Sequence, residues 1–89
     1  YRSIGVQVSL MQRQRVQTAQ EASGVEAALA AKREELALLN EELSRSMENM
    51  EKGYVTRAAV TALQREVINV RGEVGTLAAK TAELRGKDS

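Results

Sequence analysis

The sequence predicts an all-α fold: a long antiparallel two-helix coiled-coil hairpin, with a separate short N-terminal helix as a variant of it. Three observations carry that expectation. The chain has no proline and is dominated by Ala, Glu, Lys, Leu, Arg and Gln, the composition of long helices. Two stretches, one on each side of the middle, repeat apolar residues at alternating steps of three and four, the spacing of a coiled-coil seam. Between them stands Met50-Glu51-Lys52-Gly53-Tyr54-Val55-Thr56, which has the residues to stop one helix and start another. Apolar residues make up 43% of the chain, but they are mostly Ala, Val and Leu, with two Tyr and neither Phe nor Trp, so a thick layered core is not expected.

Residues 1–22 read as an N-terminal helical segment. Ile4, Val8, Met11, Arg15 and Thr18 fall on the seam spacing, but only the first three are apolar, so the stripe is weak. Ser23-Gly24 then interrupts the run, either as a loose spot in one continuous helix or as the junction between a short helix and a long one. Residues 23–52 read as the first hairpin helix. Its seam begins at Ala22 and runs through Val25, Leu29, Lys32, Leu36, Leu39, Leu43, Ser46 and Met50. Lys32 is expected to lay its stem past Val74 with the ammonium in water. Glu41 with Arg45 and Glu48 with Lys52 are spaced as i to i+4 pairs in the favourable orientation, each worth about 0.3 kcal/mol.

Residues 53–55 read as the hairpin tip. Gly53 takes positive φ without steric cost, which suits the position just past a helix C-terminus, and Lys52 before it complements the negative end of the helix dipole. Thr56 is the expected N-cap of the next helix, with Val55 and Val60 spaced as a hydrophobic staple. The capping box is incomplete, because Ala59 stands where Glu or Gln would close it.

Residues 56–86 read as the second hairpin helix, about 45 Å long, and residues 87–89 as a frayed tail. Its seam holds without a slip through Val60, Leu63, Val67, Val70, Val74, Leu77, Thr81 and Leu84. A turn near Gly53 sets Leu63 opposite Leu43, Val67 opposite Leu39, Val70 opposite Leu36 and Leu77 opposite Leu29. Residue 84 then meets Ala22, and nothing in this chain is left to cover residues 1–20. That overhang must fray, fold back or pack on another chain. Gly72 and Gly75 lie off the seam, each costing about 1 kcal/mol against Ala in a helix interior. They read as a tolerated solvent face or as a place where a neighbouring helix comes close.

Chemistry is sparse. With no histidine and no cysteine, most metal sites and the usual nucleophile and base pairs are excluded, and neither catalysis nor a cofactor is expected. Glu34-Glu35, Glu41-Glu42 and Asp88 supply carboxylates, but a two-helix hairpin has no cleft to desolvate them, so they read as solvated helix faces. The glycines match no nucleotide-binding fingerprint. The net charge of +1 recruits neither nucleic acid nor anionic lipid in bulk. No apolar run is long enough to span a bilayer, and a chain that starts at Tyr1 without initiator Met or signal peptide reads as a piece of something larger. The functional candidate is the tip, where Tyr54 and Val55 put two sizeable side chains at the end of a long lever. They either close the seam over Met47 and Met50 or dock a partner.

The tip and the arm after it resemble a known family. Met50 through Arg57, followed by Leu63-Gln64-Arg65-Glu66-Val67 and Arg71-Gly72-Glu73-Val74, is similar to the hairpin of the HlyD-type membrane fusion proteins, the periplasmic adaptors of type I secretion systems. The likeness covers roughly residues 36 to 86, and the Lys-Gly-Tyr-Val-Thr tip is not something a heptad pattern generates. The resemblance implies a protein of the periplasm, anchored in the inner membrane of a Gram-negative bacterium and assembled as a hexamer. It would link an inner-membrane ABC transporter to a TolC-like outer-membrane channel, with the hairpins forming a tube whose tips meet the channel. The family's tip motif, an arginine, then a leucine, then serine or threonine, falls on Arg45, Asn49 and Thr56. Arg45 and Thr56 match; Asn49 replaces the leucine, and Met50 one place along is expected to supply the apolar contact. The resemblance thus implies a partner-binding tip of Arg45, Asn49, Met50, Gly53, Tyr54, Val55 and Thr56. The other reading is a self-assembling coiled-coil scaffold or chaperone-like hairpin with no channel partner, in which the tip is only a turn.

Overall fold

The structure, a computed structural model, describes residues 2–88, with side chains described for residues 3–87. It is a hairpin of two helices, α1 (Arg2–Glu51) and α2 (Arg57–Asp88), packed along each other in a rod of 77 × 15 × 14 Å. The length is that of α1 itself, since 50 residues at helical rise reach about 75 Å.

The seam is where the periodicity places it. Ala22, Leu29, Leu39, Val60, Val67, Val70 and Leu84 are buried, and every other seam position from Val25 to Met50 and from Leu63 to Thr81 is at least half-buried. Leu39, Val67 and Val70 form the centre, with Leu36, Leu43, Leu63 and Val74 packed against them, which matches the antiparallel register expected from a turn at Gly53. Thr81 can occupy the seam because its hydroxyl donates to the Leu77 carbonyl at 2.9 Å.

Helix α1 passes Ser23-Gly24 without interruption, so the continuous helix holds there rather than a separate short one. Ala22 is fully buried at the level of the buried Leu84, and that packing outweighs the roughly 1 kcal/mol a helical glycine costs. Helix α2 runs on through Lys87 and Asp88 instead of fraying at 86; Tyr1 and Ser89, the outer ends of the segments 1–22 and 87–89, lie outside the described residues.

Coverage by α2 fades at Thr18 and Ala19, and from residue 17 back to residue 3 the side chains of α1 are exposed. Ile4, Val6, Val8, Leu10, Met11 and Val16 stand in this overhang, all open to solvent. No described helix is long and apolar enough to cross a membrane.

Candidate functional site: the hairpin tip

The turn is built by backbone hydrogen bonds before any side chain matters. Gly53 has φ of +80°, the left-handed region that favours glycine. Its N–H donates to the Met50 carbonyl at 3.0 Å, and the Tyr54 N–H donates to the Asn49 carbonyl at 2.8 Å. This pair of bonds is the Schellman motif, which satisfies carbonyls that the end of α1 would otherwise leave free. Lys52 lies just past the last helical residue, Glu51.

Helix α2 starts on Thr56. Its Oγ1 accepts from the Ala59 N–H at 3.1 Å, and its carbonyl accepts from the Val60 N–H at 3.3 Å. With Ala59 at the third helical position no reciprocal carboxylate bond is available, so the hydroxyl caps alone. Val55 is half-buried and Val60 buried, as a hydrophobic staple requires.

The structure separates the two side chains that the sequence leaves together. Val55 turns partly into the protein, whereas Tyr54 is 76% exposed. Met50 and Asn49 are half-buried and Met47 is exposed, so the end of the seam is closed without the tyrosine. Arg45 is exposed and lies roughly 9 Å below the end of α1, at helical rise. Among the described residues neither the Arg45 guanidinium nor the Tyr54 hydroxyl makes a hydrogen bond or ion pair. The tip therefore offers one exposed aromatic ring, the unpaired cations Arg45, Lys52 and Arg57, and the Thr56 hydroxyl. That hydroxyl oxygen is already an acceptor for the cap, so toward a partner it is chiefly a donor.

Elsewhere, two charged contacts join the arms. The Lys32 ammonium is solvent-accessible but not free: its Nζ bonds Glu73 of α2 at 2.8 Å and Glu35 of its own helix at 3.1 Å. Arg85 grips Glu26 through two nitrogens at 2.7 and 2.9 Å, a bidentate geometry. The Glu73 and then the Glu35 bonds raise the Lys32 pKa above its ordinary value, and the Arg85 bond lowers that of Glu26. Neither cross-strand pair follows from periodicity, because which long side chains meet depends on register and rotamer. The expected pairs Glu41 with Arg45 and Glu48 with Lys52 do not form; among the described residues the helical pairs are Lys32 with Glu35, Lys80 with Glu83 and Lys87 with Glu83. Exposed pairs gain too little in water to hold long side chains in one geometry. Of the carboxylates weighed as candidates, Glu34, Glu41 and Glu42 are exposed and Glu35 is tied to Lys32; the Asp88 side chain lies outside those described.

Residues 2–88 match the family described as "AprE, long alpha-helical hairpin". No curated protein and no solved structure matches the chain.

Proposed function

The chain belongs to the AprE long α-helical hairpin family, and on that premise we propose that it is the periplasmic adaptor hairpin of a type I secretion system. AprE is a type I secretion membrane fusion protein, and its hairpin family is structural rather than enzymatic. In this reading the hairpin belongs to a protein anchored in the inner membrane and assembled as a hexamer. It links an ABC transporter to a TolC-like outer-membrane channel and docks on the channel through its tip.

The observation that carries the docking role is the exposure of Tyr54 at a turn that does not need it. Gly53, Thr56 and Val55 account for the reversal of the chain, and the seam closes on Met50 without an aromatic ring. A ring left 76% exposed at the end of a 77 Å rod, with an unpaired arginine close below it, has the composition that protein contacts favour. Arg45 and the Thr56 hydroxyl supply the polar contacts in this reading, and Asn49 and Met50 sit behind them.

In the full-length protein, Tyr54→Ala and Arg45→Ala are expected to abolish or strongly reduce substrate secretion while circular dichroism shows unchanged helicity. Gly53→Pro removes both the positive φ and the N–H donated to Met50, and secretion is expected to fall with it. Normal secretion by all three variants would refute the docking role.

A further inference from the structure

The apolar core of the rod is not continuous. Leu39, Val67 and Val70 are buried together, with Leu36, Leu43, Leu63 and Val74 packed against them. Ala22, Leu29 and Leu84, farther from the tip, are buried as well but stand outside that cluster. Lys32 lies in the gap. It is the one charged residue among the seam positions from Ala22 to Met50 and from Val60 to Leu84, and it stands between Leu29 and Leu36 where the periodicity calls for an apolar side chain. Its ammonium leaves the seam to bond Glu73 and Glu35.

Helix α2 is weakest at the same height. The Lys32 to Glu73 bond sets residues 72–76 level with residues 30–34. That turn holds Gly72 and Gly75, each of which lowers local helix stability about fivefold against alanine. The Thr76 hydroxyl donates to the Gly72 carbonyl at 3.2 Å, a bond of the kind that competes with the helix ladder and bends helices. Gly72, Gly75 and Thr76 are all exposed, so water reaches this part of the ladder.

A glycine or a back-bonded threonine does not mark the place alone. Gly24 also lies inside a helix, and Thr81 donates to the Leu77 carbonyl in the same way. Around those two, however, Ala22 and Leu84 are buried and Arg85 holds Glu26 through two nitrogens. Among the described residues, only at the height of Lys32 does a turn of poor helix formers on one arm face a charge in the seam of the other.

We propose that Lys32 and residues 72–76 form a joint in the shaft, at which the tip half of the hairpin bends against the base half. Helix α2 opens over this one turn, while α1, which carries Ala30, Ala31, Arg33 and Glu34 there, stays helical. The Lys32 to Glu73 bond latches the straight form. A bond between solvent-accessible groups gains little and is weakened by salt, so the latch is light, and the opening is local and leaves the Leu39 cluster packed. A rod anchored at one end and docked at the other can then take up misalignment without its seam coming apart. That use rests on the proposed function; the joint itself does not.

Amide hydrogen exchange of the full-length protein, read by mass spectrometry, tests it. Residues 72–80 are expected to exchange faster than residues 60–70 of the same helix, with protection rising again at residues 81–85. The Gly72→Ala, Gly75→Ala double variant should slow exchange over 72–80 by at least about tenfold, and Gly24→Ala should leave that stretch unchanged. Glu73→Gln should speed it by about twofold and remove most of its dependence on salt. Uniform protection along α2 would overturn the proposal, as would a steady decline toward residue 88 with no minimum. So would a minimum that the double variant leaves in place, or one that neither salt nor Glu73→Gln changes. Uniform protection beside loss of secretion in Tyr54→Ala removes only the joint; a clear minimum beside normal secretion by the tip variants removes only the docking role.

Discussion

Val67 on the seam keeps 3% of its surface exposed and Tyr54 at the tip keeps 76%, although both are large apolar-bodied residues on one short path of chain. The first is held by the Leu39 and Val70 cluster. The second is presented by a turn whose geometry comes from backbone bonds to Met50 and Asn49. Stability and contact are therefore carried by different residues. Seam substitutions should cost folding free energy, while substitution of Tyr54 or Arg45 should cost function and leave folding unchanged.

The largest expected effect is on the seam. Leu39→Ala leaves a gap in the central cluster and is expected to destabilise the chain by about 2 kcal/mol, the low end for such truncations because this seam is narrow and partly wet. Urea unfolding followed by circular dichroism reads it, and Tyr54→Ala in the same assay should leave the midpoint where it is. A tyrosine variant as unstable as the leucine variant would break the contrast.

Next comes the turn, where the two kinds of residue meet. Gly53→Ala forces a Cβ into positive φ and should cost about 1 kcal/mol. No atom lies within 4 Å of that position, so the cost is conformational rather than steric. Thr56 divides more finely. Thr56→Ala removes the cap and should cost about 1 kcal/mol, whereas Thr56→Asp keeps a capping oxygen but has no hydroxyl to donate at neutral pH. The Asp variant should unfold like the wild type and still impair secretion; secretion unimpaired in it would leave Thr56 a cap and nothing more.

The smallest effect is on pH dependence. Glu26 has a lowered pKa in the fold, so its contribution is present above the ordinary carboxylate value and is lost as pH falls through the lowered one. Lys32 has a raised pKa, so its contribution is present below the ordinary lysine value and is lost as pH rises through the raised one. Thermal unfolding should therefore show a plateau between those limits with shallow declines outside it. Both pairs are solvent-accessible, and the acid decline should shrink in Arg85→Ala and in high salt.

Much of this molecule was legible in its residues, for reasons that differ from element to element. The seam repeats one physical demand, burial every three or four residues, along two long arms, so Val60 through Leu84 could be read one by one. Gly53 and Thr56 were legible because few residue types tolerate positive φ or cap a helix. The continuity of α1 across Ser23-Gly24 was open from sequence, because it turns on Ala22 packing at the level of Leu84 rather than on local preference. The Lys32 to Glu73 and Glu26 to Arg85 bonds were not legible, since they join residues far apart in the chain through flexible side chains. The orientation of Tyr54 was likewise undecided until the turn fixed the direction of the backbone beside it.

The most direct measurement is site-specific cross-linking from the tip in cells that secrete. A photoreactive residue in place of Tyr54 in the full-length protein should capture an outer-membrane channel subunit, while the same residue in place of Ala37 on the shaft should not. Capture of the channel from position 54 alone is the result this account predicts. Capture from position 54 of only other copies of the same protein, in cells that are secreting normally, would contradict it.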